Sequence, residues 1–68
     1  MENEDKTLYF YCVSIETEEV CGTLAYMHYF TDAARFAEEQ LSLYAPCFDH
    51  VEITISFQGS NIRTYRKG

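Results

Sequence analysis

The fold of this chain is decided by residues 31–46, TDAARFAEEQLSLYAP, which carry its clearest helical pattern. Mostly apolar side chains recur there at spacings of three and four residues, which places them on one face of a helix. These side chains are Ala33, Phe36, Ala37, Gln40, Leu41 and Tyr44. Glu38 and Glu39 fall on the opposite face. The spacing therefore predicts one helix with an apolar side and an acidic, solvated side.

Residues at the two ends of this segment indicate where the helix begins and ends. Thr31 is the expected N-cap, because its hydroxyl can accept a hydrogen bond from a free backbone N–H of the first turn. Asp32 adds negative charge at the positive end of the helix dipole. Pro46 disfavours helical geometry at the residue before it, so we expect the helix to stop there.

Segments on both sides of the helix are rich in β-branched and aromatic residues and predict four strands. The predicted strands are residues 7–15, 20–30, 51–57 and 61–66. The first is apolar on both faces, which is typical of a strand at the centre of a sheet. The third alternates regularly between apolar and polar residues, which is typical of a strand with one face in water.

The first pair of strands is predicted to form a hairpin across an acidic loop. With Thr17 and Glu18 in the loop, Ile15 lies opposite Val20. Gly22 is a candidate bulge or a point of close approach, because glycine within a strand often has one of these roles. A shift of one residue would exchange the two faces of the hairpin.

The last two strands are predicted to form a second hairpin. Gly59 and Ser60 at the centre of the turn suit type II′ geometry. That register places Ile62 opposite Phe57. Basic residues in the last strand protect the sheet edge against unwanted pairing.

The order of elements, β-β-α-β-β, predicts an α+β domain with a four-stranded antiparallel sheet and one helix packed on one face. A right-handed crossover from the second strand to the third gives the strand order 2-1-3-4. We expect a disordered acidic tail over residues 1–6 and a single domain over residues 7–68.

Aromatic content points to an interaction surface. The chain has 68 residues, of which 47% are hydrophobic and 16% aromatic, more rings than one helix and a small sheet enclose easily. Contiguous exposed aromatic area usually marks an interface. We therefore predict that the sheet face away from the helix is aromatic and mediates homodimerisation. The expected self-association residues are Leu8, Tyr9, Phe10, Tyr11 and Tyr26.

The net charge of −6 bears on the choice of partner. An acidic body repels a phosphate backbone, which argues against ordinary nucleic-acid binding. It suits a basic protein partner, and complementary charge would accelerate that association. The candidate partner-binding carboxylates are Glu16, Glu18, Glu19, Asp32, Glu38 and Glu39. A high net charge also serves solubility alone.

Catalytic and metal-binding patterns are weak in this sequence. Cys47 and His50 form one loosely spaced pair, whereas structural zinc normally needs four ligands. No local signature joins a cysteine nucleophile to a histidine base, and no glycine-rich loop could cradle a phosphate. We predict that the protein is not an enzyme and has no cofactor, no metal and no catalytic residues. The odd number of cysteines and the polar start, MENEDK, predict a reducing cytoplasmic location. The lack of an apolar run of transmembrane length predicts no membrane span.

Three functional hypotheses follow from the sequence. The leading one is a non-enzymatic, homodimeric module that binds another protein by surface contact. The alternative is an acidic inhibitor that blocks the basic groove of a nucleic-acid-binding or host-defence protein by mimicking nucleic acid. In size, charge and lack of catalytic signature the chain resembles, as a class, the compact inhibitors of phages and mobile elements. The third hypothesis is a binder of nucleotides or single-stranded nucleic acid that uses sheet tyrosines as a stacking platform.

Overall fold

A computed structural model describes residues 9–67 of the protein. Its elements are β1 (Tyr11–Thr17), β2 (Cys21–Met27), α1 (Phe30–Tyr44), β3 (Val51–Phe57) and β4 (Ser60–Lys67). The predicted α+β class and the β-β-α-β-β order are confirmed. The predicted acidic tail over residues 1–6, the first two residues of the predicted first strand, including Leu8, and the final glycine lie outside the described residues.

The four strands form one antiparallel sheet in the predicted order β2-β1-β3-β4. Strand β1 is central and pairs with β2 on one side and with β3 on the other. Its central position is the one predicted from a right-handed crossover between the second and third strands. Helix α1 lies across one face of the sheet and packs mainly against β3.

The hydrophobic core lies between the helix and the two central strands. The fully covered side chains include Val13 of β1 together with Ile53 and Ile55 of β3. From the helix, Ala33 and Ala37 are completely buried, and their small side chains allow the helix to approach the sheet closely. The regular alternation predicted for residues 51–57 is confirmed, since every second residue from Val51 to Ile55 faces the core.

The helix begins earlier than the sequence indicated, with its N-cap two residues before the predicted one. Its N-cap is Tyr29, which makes no side-chain capping bond, so the prediction that Thr31 caps the helix is wrong. The backbone N–H of Ala33 already bonds the carbonyl of Tyr29 at 3.1 Å. Burial of Phe30 against the core accounts for the early start, because Phe30 must lie on the helix for its ring to reach the sheet.

The first hairpin differs from its predicted register. Ile15 pairs with Gly22 rather than with Val20, and the loop contains Glu18 and Glu19. Buried Thr17 explains the shift, because its hydroxyl accepts backbone hydrogen bonds from Glu19 at 3.0 Å and Val20 at 2.9 Å.

A β-bulge interrupts β2, although not where the sequence suggested. Val13 pairs with Ala25 and Ser14 with Thr23, so the extra residue is Leu24 rather than Gly22. Leu24 packs against the core. The bulge therefore serves to turn an apolar side chain inward.

The second hairpin turn is type I′ rather than the predicted type II′. Gln58 and Gly59 both have positive φ angles, 54° and 83°, and type I′ requires φ above zero at both central residues. Phe57 therefore pairs with Ser60, not with Ile62. Ile62 is instead the extra residue of a bulge in β4.

Candidate protein-interaction site

The sheet face away from the helix is polar, which corrects the prediction of an aromatic face. Side chains that are paired across neighbouring strands point to the same side of the sheet. The middle row of this face therefore consists of four hydroxyl residues, in the order Thr23, Ser14, Thr54 and Thr64. The Thr54 and Thr64 hydroxyls lie 3.3 Å apart and share a hydrogen bond. Short hydroxyl side chains occupy the place where aromatic rings were expected.

Rows on either side of the hydroxyl row complete this open face. Towards the first hairpin loop the row is Cys21, Glu16, Glu52 and Arg66, and at the other end it is Tyr26, Cys12, Ser56 and Asn61. A shallow depression of about 380 Å³ lies between the hydroxyl row and the row that contains Glu16 and Glu52. Its lining combines hydroxyls, carboxylates and one thiol with Ile15 and Gly22.

Glu52 is the most strongly engaged carboxylate of the open face. Its Oε2 accepts a hydrogen bond from Arg66 Nε at 2.8 Å, and His50 Nε2 lies 4.0 Å away. The Arg66 hydrogen bond lowers the pKa of Glu52 below its ordinary value. Directly opposite on β1, Glu16 brings a second carboxylate beside it. Like charges in this position destabilise the pair, and Arg66 offsets the repulsion.

The predicted self-association residues that the structure describes do not all lie on one surface, because Tyr11 is separate from the others. Tyr11 faces the helix side, where its ring stacks on Phe57 at 4.6 Å and meets Phe30 edge-on at 5.9 Å. Phe10 is half-buried and packs against the ring of His28 at 4.7 Å. In the described range, Tyr26 is the one predicted self-association residue that both lies in a paired strand and projects from the open face.

Exposed aromatic side chains gather instead at one end of the sheet, where β1 begins, β2 ends and α1 begins. Tyr9 is 65% exposed, Tyr29 69% and Tyr26 41%. The Phe10 and His28 rings lie against each other beside them, and the His28 and Tyr29 ring centres are 6.2 Å apart. We call these five residues the aromatic end.

The topology explains why these rings come together. Cys12 pairs with Tyr26 and Tyr11 with Met27, so continuing the antiparallel register brings the residues before β1 alongside those after β2. Tyr29 then precedes the first helical residue, at a position whose side chain points outward. Sequence reasoning missed His28 and Tyr29 because it placed both within a strand over residues 20–30.

At the opposite end of the sheet, one of the predicted partner-binding carboxylates has a structural role. Glu18 accepts backbone hydrogen bonds from Asp49 at 3.0 Å and His50 at 3.1 Å. Both bonds lower the pKa of the Glu18 carboxyl group below its ordinary value, and the bond from Asp49 has the largest effect. The side chain joins the first hairpin loop to the segment that enters β3.

The other predicted partner-binding carboxylates lie on different sides of the molecule. Glu16 projects from the open face of the sheet, and Glu19 is exposed in the hairpin loop. The three on the helix are all exposed, on the side of the sheet that α1 covers; they are Asp32, Glu38 and Glu39. The sheet therefore separates the acidic residues into two groups.

The cysteines are unpaired, and their surroundings differ. Cys12 is buried, whereas Cys21 and Cys47 are exposed. The Cys12 thiol lies 4.0 Å from the Thr23 hydroxyl. Within residues 9–67, no three Cys, His, Asp or Glu side chains converge where a metal ion could be held.

Helix α1, at 15 residues, has neither the length nor the apolar character for crossing a lipid bilayer, and no other helix occurs in the described part of the chain. No protein-family model, curated protein or solved structure matches this chain.

Proposed function

We propose that this protein is a non-enzymatic binding module that contacts another protein through its aromatic end. The observation that carries the proposal is the exposure of Tyr9, Tyr26 and Tyr29 at one end of the sheet. Tyrosine combines a large apolar ring with a hydroxyl that can bond a partner, which is why it is enriched at protein interfaces.

The rings of the aromatic end are held by neighbouring structure, which favours binding. Tyr26 belongs to a paired strand, and Tyr29 is the N-cap residue of the helix. Phe10 and His28 pack on each other at the same end of the sheet. Side chains carried by such elements lose less freedom on association than side chains of a free loop, so more of the contact energy is retained.

The two other hypotheses receive less support from the geometry. Mimicry of nucleic acid calls for carboxylates arrayed along one surface, whereas the sheet divides these carboxylates and Glu18 is already hydrogen-bonded. A stacking platform for single-stranded nucleic acid calls for rings on the open face, whereas Tyr11 lies on the helix side. We further propose a reducing, cytoplasmic location, in keeping with three unpaired cysteines.

The proposal is tested by photo-cross-linking in cells of the source organism, with a photoreactive phenylalanine analogue in place of Tyr29. The matched control carries the same analogue at Leu43, which is 60% exposed on the helix. We expect a discrete cross-linked protein from position 29 only, and we expect it to disappear when Tyr9 and Tyr26 are changed to Ser. Equal cross-linking from both positions, or persistence in the Tyr9→Ser/Tyr26→Ser variant, would refute the assignment.

A further inference from the structure

The outer edge of β2 offers backbone hydrogen-bonding groups to another strand. Thr17 donates a backbone hydrogen bond to Val20 at 2.7 Å. In an antiparallel pair, hydrogen-bonded and non-hydrogen-bonded positions alternate. Because Thr17 and Val20 form a hydrogen-bonded pair, Cys21 and Thr23 occupy non-hydrogen-bonded positions. Their backbone N–H and C=O groups therefore point away from β1. Within residues 9–67, β1 is the one strand that pairs with β2.

The two edges of the sheet differ in how they are protected. Strand β4 carries three cationic side chains, Arg63, Arg66 and Lys67, of the kind that discourage pairing at an edge. Strand β2, with the sequence CGTLAYM, carries no charged residue and no proline. Both strands contain a bulge, so charge is the property that distinguishes them. The β2 edge is therefore the one open to pairing.

We propose that a second copy of this chain pairs antiparallel with β2 along its Cys21–Thr23 segment, joining the two four-stranded sheets into one continuous sheet. The distribution of charge is compatible with this occupant. The acidic loop residues Glu18 and Glu19 adjoin only one end of β2, so antiparallel pairing places the acidic loops of the two copies at opposite ends of the interface. Pairing through β4 would instead bring cationic side chains together.

Symmetry supports self-pairing through β2 as well. Pairing of β2 with the β4 edge of another molecule would leave unsatisfied edges at both ends and continue into a filament. Pairing of β2 with itself closes after two copies and leaves only the cationic β4 edges exposed. Exposed Val20, 51% accessible, would come close to the neighbouring copy. This inference is independent of the proposed function, because each copy keeps its own aromatic end.

The test compares two threonines that occupy the same hydroxyl row, one on each edge strand. Both Thr23 and Thr64 are exposed. Light scattering over a range of concentrations, with reductant present, is applied to the full chain and to the variants Thr23→Lys and Thr64→Lys. In the proposed dimer the two Lys side chains at position 23 lie close together on one face. We expect the full chain and Thr64→Lys to be dimeric and Thr23→Lys to dissociate at least ten times more readily.

Two further variants at position 23 keep the test decisive. Thr23→Val retains the backbone N–H and the strand preference of the residue, and we expect it to remain dimeric. Thr23→Pro removes the outward N–H without removing a backbone bond to β1, and we expect it to be a folded monomer by circular dichroism and light scattering. A full chain that is monomeric up to millimolar concentration overturns the proposal. A dimer that Thr23→Lys and Thr23→Pro both leave intact, or that Thr64→Lys weakens equally, also overturns it.

Discussion

The carboxylate of Glu18 accepts a 3.1 Å hydrogen bond from the backbone N–H of His50, 32 positions further along the chain. The same carboxylate accepts a second bond, from the N–H of Asp49. A hairpin loop and the entry to β3 are thereby joined by one acidic side chain, so a residue expected to face a partner takes part in the fold.

We expect Glu18→Gln to destabilise the protein at neutral pH more than Glu19→Gln does. The folded state lowers the pKa of Glu18, so its carboxylate contributes stability above the ordinary glutamate pKa. That contribution is lost as the pH falls through the lowered pKa. Urea unfolding of both variants across the acid range measures the effect. Equal curves at neutral pH, or a difference that persists when the carboxyl is protonated, would contradict the structural role of Glu18.

Truncation of Ile53 should nearly abolish the fold. Ile53 is fully buried between the sheet and the helix, and Ile→Ala at such sites costs about 2–5 kcal/mol, comparable to the whole stability expected of a domain this small. Ile53→Val should cost only about 0.5–1.5 kcal/mol. Urea unfolding compares both with Ile62→Ala, at a half-exposed position. A loss for Ile53→Ala no larger than that for Ile62→Ala would show that the core has been misassigned.

Lys67 stabilises the end of the helix. Its Nζ donates to the carbonyl groups of Ala45 at 2.7 Å and Phe48 at 2.6 Å, where a cation also complements the helix dipole. We expect Lys67→Met to lower the free energy of unfolding by about 1–2 kcal/mol. Arg66→Met, which removes an exposed ion pair, should have a smaller effect. Thermal unfolding followed by circular dichroism ranks the two variants, and the reverse ranking would exclude this role.

The second hairpin turn can be improved by a single substitution. Gln58 has a φ of 54°, a left-handed conformation that costs most residues about 1–2 kcal/mol and that Asn tolerates better. Gln58→Asn gives the Asn-Gly pair favoured in type I′ turns. We expect a gain of up to about 1 kcal/mol, measured by urea unfolding. Gly59→Ala, at a φ of 83°, should be destabilising, and a stable Gly59→Ala variant would argue against this turn type.

Removal of the Tyr65 hydroxyl should stabilise the protein. This hydroxyl is buried and makes no hydrogen bond within the described residues, so it has lost its bonds to water without replacement. The ring itself packs against the core. We expect Tyr65→Phe to raise the free energy of unfolding by roughly 1 kcal/mol, whereas Tyr65→Ala should lower it. A loss of stability in Tyr65→Phe would indicate that the hydroxyl has a partner.

Local sequence patterns determined the class and order of the fold. Two patterns repeat over several turns or residues: the helical spacing from Ala33 to Tyr44 and the alternation from Val51 to Ile55. A single residue that departs from such a pattern therefore does not obscure it. The central place of β1 also followed from the sequence, because a right-handed crossover from the second strand to the third places the first strand between them. The structure confirms the fold class, the order of elements and the order of strands.

Turn registers, the helix start and the composition of the open face were decided only by tertiary structure. Thr17 changed the first register through its own hydrogen bonds, and Phe30 began the helix early by packing on the core. Because side chains alternate along a strand, the one extra residue of a bulge, such as Leu24 in β2, changes which residues reach each face. The rings expected on the open face lie instead against the helix or at the aromatic end, and Glu18 became part of the fold because the chain brought Asp49 and His50 to it.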